Sequence, residues 1–322
     1  MSIVVTGGAG FIGSCIVRSL NDRGREDIII VDNIASTDKW MNIRNKRYLR
    51  YVHKSDFLKE LPHIDGVEAV IHMGACSSTT ERDFDYLWKN NFEYSKTLWE
   101  YCANARIPFV YTSSAATYGD GSQGFDDRED IDRLLPLNPY GYSKQVFDLW
   151  VKHQAVSFPS QYAGLKFFNV YGPDEYCKGS MASMVFHGYR QILETGRIRL
   201  FKSYREDIAD GDQRRDFVYV KDVCDVVTWL LDHPEISGLF NVGTGRAQSF
   251  RELAESVFSA LGKQPEIEYI DMPGELREKY QYYTRAGIEK LRDAGYTGNF
   301  SDIEKGVADY VQNYLEKGYE VY

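Results

Sequence analysis

The most constraining feature of this chain is a glycine triplet at its start. An apolar run, residues 3–6, leads into Gly7-Gly8-Ala9-Gly10-Phe11-Ile12-Gly13, and a helical pattern follows over 11–21. Gly7, Gly10 and Gly13 stand three apart. Glycine permits the tight turn and lets backbone N–H groups approach a diphosphate at the positive end of a helix. A second apolar strand, 27–31, ends at Asp32-Asn33. Glycines after a first strand and an acid at the end of the second form the pattern of a dinucleotide site.

The rest of the chain supports a parallel sheet. Strands are expected at 67–72, 109–113, 162–168, 217–220 and 240–245, and helices at 92–105, 140–154, 249–261 and 302–315. Alternation of this kind makes βαβ units, whose ligands lie beyond the carboxyl ends of the strands. The expected fold class is α/β, a Rossmann-type parallel sheet with helices on both faces, plus a smaller, discontinuous C-terminal substrate lobe. Residues 1–168, with 213–245 returning, form the dinucleotide-binding domain; 169–212 and 246–322 form the lobe. Residues 171–183 and 201–216 carry little periodicity and read as long loops, which are usually functional.

Composition narrows the function. The net charge of −9 argues against nucleic-acid binding, which needs a basic face. No run of 18 apolar residues exists, so no membrane span is expected. The start of the chain lacks the charged and apolar regions of an export signal. Five dispersed cysteines without a CxxC pair suggest reduced thiols and a cytoplasmic protein, and the six histidines add no metal-ligand spacing. The 24 tyrosines are either amphipathic filler or the lining of a sugar cleft.

Chemistry enters with Tyr140-Gly-Tyr-Ser-Lys144. Tyr140 and Lys144 share a helix face. A phenol near pKa 10 is a weak base at neutral pH, and an adjacent ammonium lowers that value. Residues 111–119 place hydroxyls, Ser114 among them, at the end of a buried strand. Asp32 favours a free ribose, whereas Lys39 suits a 2′-phosphate, so the residues leave NAD and NADP both open. Lys54-Ser55-Asp56 begins a loop that reaches the adenine side or is a solvated turn.

Glycine loop, strand-end serine and Tyr-x-x-x-Lys together resemble the extended short-chain dehydrogenase/reductase family over most of the chain. The resemblance implies that Ser114 polarises the reacting oxygen, Tyr140 carries the proton, and Lys144 holds the ribose and tunes the tyrosine. Members that dehydrate nucleotide sugars carry Asp-Glu after the hydroxyl residue; here Ala115 and Ala116 stand there, which disfavours dehydration.

The segments 74–81, 168–183, 215–220 and 241–247, Lys178-Gly-Ser-Met-Ala-Ser above all, are similar to the branch of that family that epimerises ADP-heptoses for lipopolysaccharide. That branch implies a tightly held NADP, transient oxidation at C6″ to a ketone, and re-reduction from the opposite face. Two bases follow from the resemblance, Tyr140 and Lys178; on its own, Lys178 is also readable as a phosphate contact. Its implied cofactor residues are Phe11, Ile12, Asp32, Asn33, Lys39, Lys54, the turn Met73, Gly74, Ala75, Cys76 and Ser77, Asn90, Lys144, Val170 and Lys178. Its implied substrate residues are Asn169, Ser180, His187, Phe201, Arg215 and Tyr280. The family also implies a homo-oligomer, a pentamer in this branch. Met73 departs from an expected polar residue, and 202–214 is longer than the usual loop. Two other readings stay open: a UDP-hexose 4-epimerase, and a non-catalytic NADP-sensing protein.

Overall fold

The computed structural model describes residues 1–154, 158–277 and 280–322. Its strands are β1 (Ser2–Thr6), β2 (Ile28–Asp32), β3 (Arg50–His53), β4 (Val67–His72), β5 (Phe109–Ser114), β6 (Tyr162–Phe167), β7 (Asn169–Tyr171), β8 (Ile198–Phe201), β9 (Arg214–Arg215), β10 (Phe217–Tyr219), β11 (Gly238–Val242), β12 (Gln248–Ser249) and β13 (Ile267–Ile270). The helices are α1 (Phe11–Asp22), α2 (Trp40–Ile43), α3 (Lys54–Glu60), α4 (Phe84–Leu87), α5 (Tyr94–Ala105), α6 (Pro139–Lys152), α7 (Met184–Thr195), α8 (Val220–Asp232), α9 (Phe250–Ala260), α10 (Gly274–Arg277), α11 (Glu289–Asp293) and α12 (Ile303–Tyr310).

Seven strands form one parallel sheet in the order β11-β6-β5-β4-β1-β2-β3. This is a Rossmann-type sheet, with the strand order reversing between β1 and β4. That crevice is where open α/β sheets bind ligands. Alternation sets the two faces. Ile3, Val5, Ile28 and Ile30 pack with α1 and α8, whereas Val4, Ile29 and Val31 pack with α3, α5 and α6. Burial on both faces is why these strands read as unbroken apolar runs.

The second half adds three small two-stranded pairs, β7 with β10, β9 with β12, and β8 with β13. Helices α7, α9 and α12 pack on one another beside them. The apolar stripes of α9 and α12 carry Leu253, Val257, Ile303 and Val307 into the core cluster that α1 and α8 also line. A capping box, Ser249 with Glu252, starts α9.

One buried knot joins the parts. Asp174 adopts a left-handed backbone, φ 72°. Its Oδ2 accepts from Ser14 Oγ at 2.8 Å and pairs with Lys46 at 3.3 Å, both charged side chains being fully buried. Its Oδ1 accepts the Tyr322 N–H at 2.9 Å, and its carbonyl accepts from Asn42 Nδ2 at 3.0 Å. The segment leaving β7 is thereby fixed to α1, to α2 and to the 322 end.

Several elements differ from expectation. Residues 54–56 are not a loop: Lys54 opens α3, with His53 capping Ser55 N–H. Strand β3 was not foreseen, because residues 50–53 are largely exposed at the sheet edge and carry little apolar signal. The loosely patterned stretch 171–183 holds a short helical turn over 176–181, and α7 follows it, capped by Ser183.

Candidate active site

The glycine turn is held by contact as well as by torsion. Gly7 has φ +67°, and a Cβ there would lie 2.7 Å from Gly74 N. A Cβ on Gly13 would lie 2.1 Å from Gly7 O. The turn after β1 therefore packs directly against the turn after β4. Between them, at the sheet's crevice, lies a cavity of about 610 Å3, within the range of small-molecule and cofactor sites. Gly7, Gly10, Phe11, Ile12, Gly13, Asp32, Asn33, Lys39, Lys54, Met73, Gly74, Ala75, Cys76, Ser77, Asn90, Val170 and Lys178 all line it.

Asp32, at the end of β2, accepts from Ala9 N–H at 2.9 Å and pairs with Lys39 Nζ at 2.6 Å. Lys54 Nζ donates to Asn90 Oδ1 at 2.6 Å. Burial lowers the Lys54 ammonium below its ordinary range, against the pull of Asp32. The 73–77 turn is anchored by a residue that sequence reasoning passed over. Asn91 accepts from Cys76 N–H at 2.8 Å and donates to Cys76 O and to Ser143 Oγ, both at 3.0 Å. Adjacent asparagines give no sequence signal as to which one faces the ligand and which one braces the loop.

The residues expected at the reacting end lie where β5 meets α6. Helix α6 starts with Pro139 at its first turn and Asn138 as cap, a combination that fixes its register. Its buried residues, among them Tyr140, Ser143, Lys144, Phe147, Asp148 and Val151, form one stripe. Gly141 lets the helix approach the turn after β5, since a Cβ there would lie 2.7 Å from Ala116 O. Tyr140 and Ser114 both line the cavity. Burial raises the phenol's pKa; the Ser114 hydroxyl works against it. Lys144 is 1 % exposed, and its Nζ has no hydrogen-bond partner among the described residues. Burial lowers its pKa to about 8, while the Asp148 carboxylate opposes that fall.

Lys178 reaches the same cavity from the 176–181 turn, its Nζ 5.2 Å from the Phe11 ring centre. Burial lowers its pKa, and the Glu175 carboxylate counters in part. Glu175 is itself fully buried, accepting Ser183 N–H and Oγ–H, each at 2.6 Å. It therefore ties the lysine's turn to the cap of α7.

The substrate candidates lie outside the lining of this cavity. Arg215 and Tyr280 are together: the buried guanidinium lies 5.1 Å from the Tyr280 ring centre and 5.7 Å from that of Phe250. Phe201 ends β8, where its carbonyl accepts from Gln213 Nε2 at 3.2 Å. Asn169 opens β7, Ser180 is exposed on the 176–181 turn, and His187 is half-buried on α7 beside Phe186. The 202–214 loop packs back on the segment after β13, Tyr204 lying under the Arg277 guanidinium at 3.9 Å.

Solved relatives share this fold. The chain is 53% identical, over 97% of both chains, to the ADP-L-glycero-D-manno-heptose-6-epimerase of Nitratidesulfovibrio vulgaris. The solved ADP-L-glycero-D-manno-heptose-6-epimerase of Helicobacter pylori shares 26% identity at a TM-score of 0.81, covering 97% of this chain and 95% of that one. The UDP-glucose 4-epimerase of Thermus thermophilus, solved with NAD, shares 27% identity at a TM-score of 0.78, covering 97% and 98%. The model of the NAD dependent epimerase/dehydratase family matches residues 3–243. A glycine turn packed on the β4 turn, with Tyr140 and Ser114 on the same cavity wall and Lys144 buried one helical turn behind Tyr140, is thus found in a chain that belongs to the NAD dependent epimerase/dehydratase family.

Proposed function

We propose that the chain interconverts ADP-D-glycero-β-D-manno-heptose and ADP-L-glycero-β-D-manno-heptose by epimerisation at C6″, supplying heptose for a lipopolysaccharide core. The observation that carries the substrate is the 53% identity to a heptose epimerase across nearly the whole of both chains. The geometry supports the chemistry.

The residues present fit a nicotinamide dinucleotide. The glycine turn keeps its tight shape at the head of α1 only because Gly7 and Gly13 lack side chains, and the buried Lys144 Nζ, without a hydrogen-bond partner among the described residues, would find one in the ribose hydroxyls. Bound there, the dinucleotide would supply reversible hydride transfer at C6″. Lys39, paired with Asp32 at the cavity wall, would offer positive charge to a 2′-phosphate and favours NADP over NAD. Mass analysis of the co-purifying cofactor tests this directly: a mass without the additional phosphate overturns it.

In the forward oxidation, Tyr140 takes the proton of the C6″ hydroxyl while Ser114 holds that oxygen. The Lys144 ammonium holds the ribose and favours the phenolate. A single base serves both epimers poorly, because the reacting hydroxyl changes face. Lys178 enters the cavity from a different part of the chain, and burial lowers its pKa in the direction a base needs. Ala115 and Ala116 offer only methyl groups next to Ser114, so nothing there eliminates water. The sheet's residues 1–168 and 213–245 hold the cofactor on this reading. The pieces 169–212 and 246–322 hold the substrate, Arg215 gripping its diphosphate and Asn169, Ser180, His187, Phe201 and Tyr280 contacting the sugar and nucleotide.

Incubation with ADP-D-glycero-D-manno-heptose and, separately, with UDP-glucose, followed by proton NMR, decides the substrate. Epimer from the first alone is expected; epimer from UDP-glucose alone overturns the assignment. The double variant Tyr140→Phe with Lys178→Met should lose turnover yet retain cofactor. A homo-oligomer of about five protomers, the count the family resemblance implies, is expected in sedimentation.

A further inference from the structure

Helix α6 buries one more charge than the site above uses. Tyr140, Lys144 and Asp148 follow at four-residue steps along its covered face, so their side chains stack in one row. Asp148 is 2 % exposed. Two side chains of β5 fix its carboxylate: Ser113 Oγ–H donates to Oδ2 at 2.6 Å and the Tyr111 hydroxyl to Oδ1 at 3.3 Å. From β6, Lys166 Nζ comes within 3.9 Å of Oδ2. The same ammonium donates to Thr117 Oγ1 at 2.8 Å and lies 4.4 Å from the Tyr118 ring centre.

The groups facing each charge are few. Lys144 has Tyr140 and Asp148 on its own helix and His72 across on β4. His72 is neutral, held by burial at a pKa of about 3, with its two nitrogens bonded to Thr6 Oγ1 at 2.6 Å and Ser95 Oγ at 2.8 Å. Lys166 feels Asp148, Asp127 and Lys290. A second cavity of about 300 Å3 borders Asp148 and Lys166 and is rimmed by Asp127, Lys152 and Lys290. It shares no lining residue with the cofactor cavity. Among these groups Asp148 is the one anion that supports the Lys144 charge.

We propose that Asp148 is a positioning residue for the Tyr140–Lys144 pair: its buried carboxylate, neutralised from behind by Lys166, keeps the Lys144 ammonium charged without touching cofactor or substrate. A buried amine without a hydrogen-bond partner sheds its proton readily. An anion one helical turn away opposes that loss. The three charges alternate, Lys144, Asp148, Lys166: burial raises the Asp148 pKa, and Lys166, Ser113 and Lys144 work against that rise. The inference rests on the role given to Lys144, not on the identity of the sugar.

The test reads the lysine directly. Lysine labelled with 13C at Cε is titrated by NMR in the cofactor-free protein, and the Lys144 resonance is assigned by its loss in Lys144→Met. The expected midpoint near 8 falls by about one unit or more in Asp148→Asn and returns in Asp148→Glu. In turnover, the alkaline loss of kcat moves to lower pH in Asp148→Asn with KM little changed. Where Asp148→Asn does not fold, Asp148→Ser, smaller and still able to bond Ser113, takes its place. A Lys144 midpoint unmoved in a folded neutral variant overturns the proposal and leaves Asp148 a packing residue. Failure to turn over an ADP-heptose would sink the substrate assignment alone, since the titration needs neither substrate nor cofactor.

Discussion

At the scale of single residues, the site is a set of polar groups whose energies are set by burial. Lys144 is the plainest case: an ammonium 1 % exposed with no hydrogen-bond partner among the described residues. Leaving such a group unsatisfied costs about 1–3 kcal/mol. Lys144→Met should therefore raise the thermal midpoint of the cofactor-free protein while lowering kcat by about 10²–10⁴-fold. A calorimetric scan showing the variant less stable would mean that Lys144 has a partner in solution. Tyr140, Lys144 and Ser114 were legible in the sequence because their spacing and strand-end setting are themselves the signal. Asp148, Asn91 and Glu175 were not. Each acts by bracing something else, and a lone Asp, Asn or Glu in a helical pattern looks like any solvated one until its surroundings are seen.

At the scale of elements, turns and helix starts carry the constraints. Gly13→Ala would drive a Cβ to 2.1 Å from Gly7 O. The expected cost is about 1–3 kcal/mol or more, with loss of bound cofactor, read by absorbance of the purified variant. Helix α8 offers a pH test. Asp222, in its first turn, accepts Ser301 N–H at 2.8 Å and Oγ–H at 3.1 Å, and burial raises its pKa to about 6. Since the folded value lies above the unfolded value near 4, protonation favours the native chain. That stability is fully present below about pH 4 and is lost as pH rises through about 6. Asp222→Asn should thus gain about 2 kcal/mol relative to the parent between pH 4 and pH 8; thermal melts at the two ends check the sign. The strands β1, β2, β4 and β5 were legible as unbroken apolar runs because both faces of the sheet are covered. The edge strand β3 lacked that cover; in the second-half pairs only the buried β10 was legible, the other strands being two to four residues long with a register that depends on contacts between distant segments.

At the scale of the whole molecule, the Asp174 knot joins what the sequence separates. Lys46 and Asp174 are fully buried partners, and removing one leaves the other uncompensated. Asp174→Ala should cost about 3–5 kcal/mol, seen in chemical denaturation. A loss below about 1 kcal/mol would mean that the pair is open to solvent. The knot has a further consequence. It clamps the segment that leads to Lys178 onto the start of α1, whose Phe11 ring lies against that lysine. Tyr140 stands on α6, seated on the same sheet. Tyr140 and Lys178 are thus anchored to the same sheet from separate segments of the chain. On the proposed chemistry, the turning must be done by the guest: the sugar ketone pivots about its own bonds between two stationary hands, and the rate of that pivot belongs to the ligand rather than to any hinge in the protein.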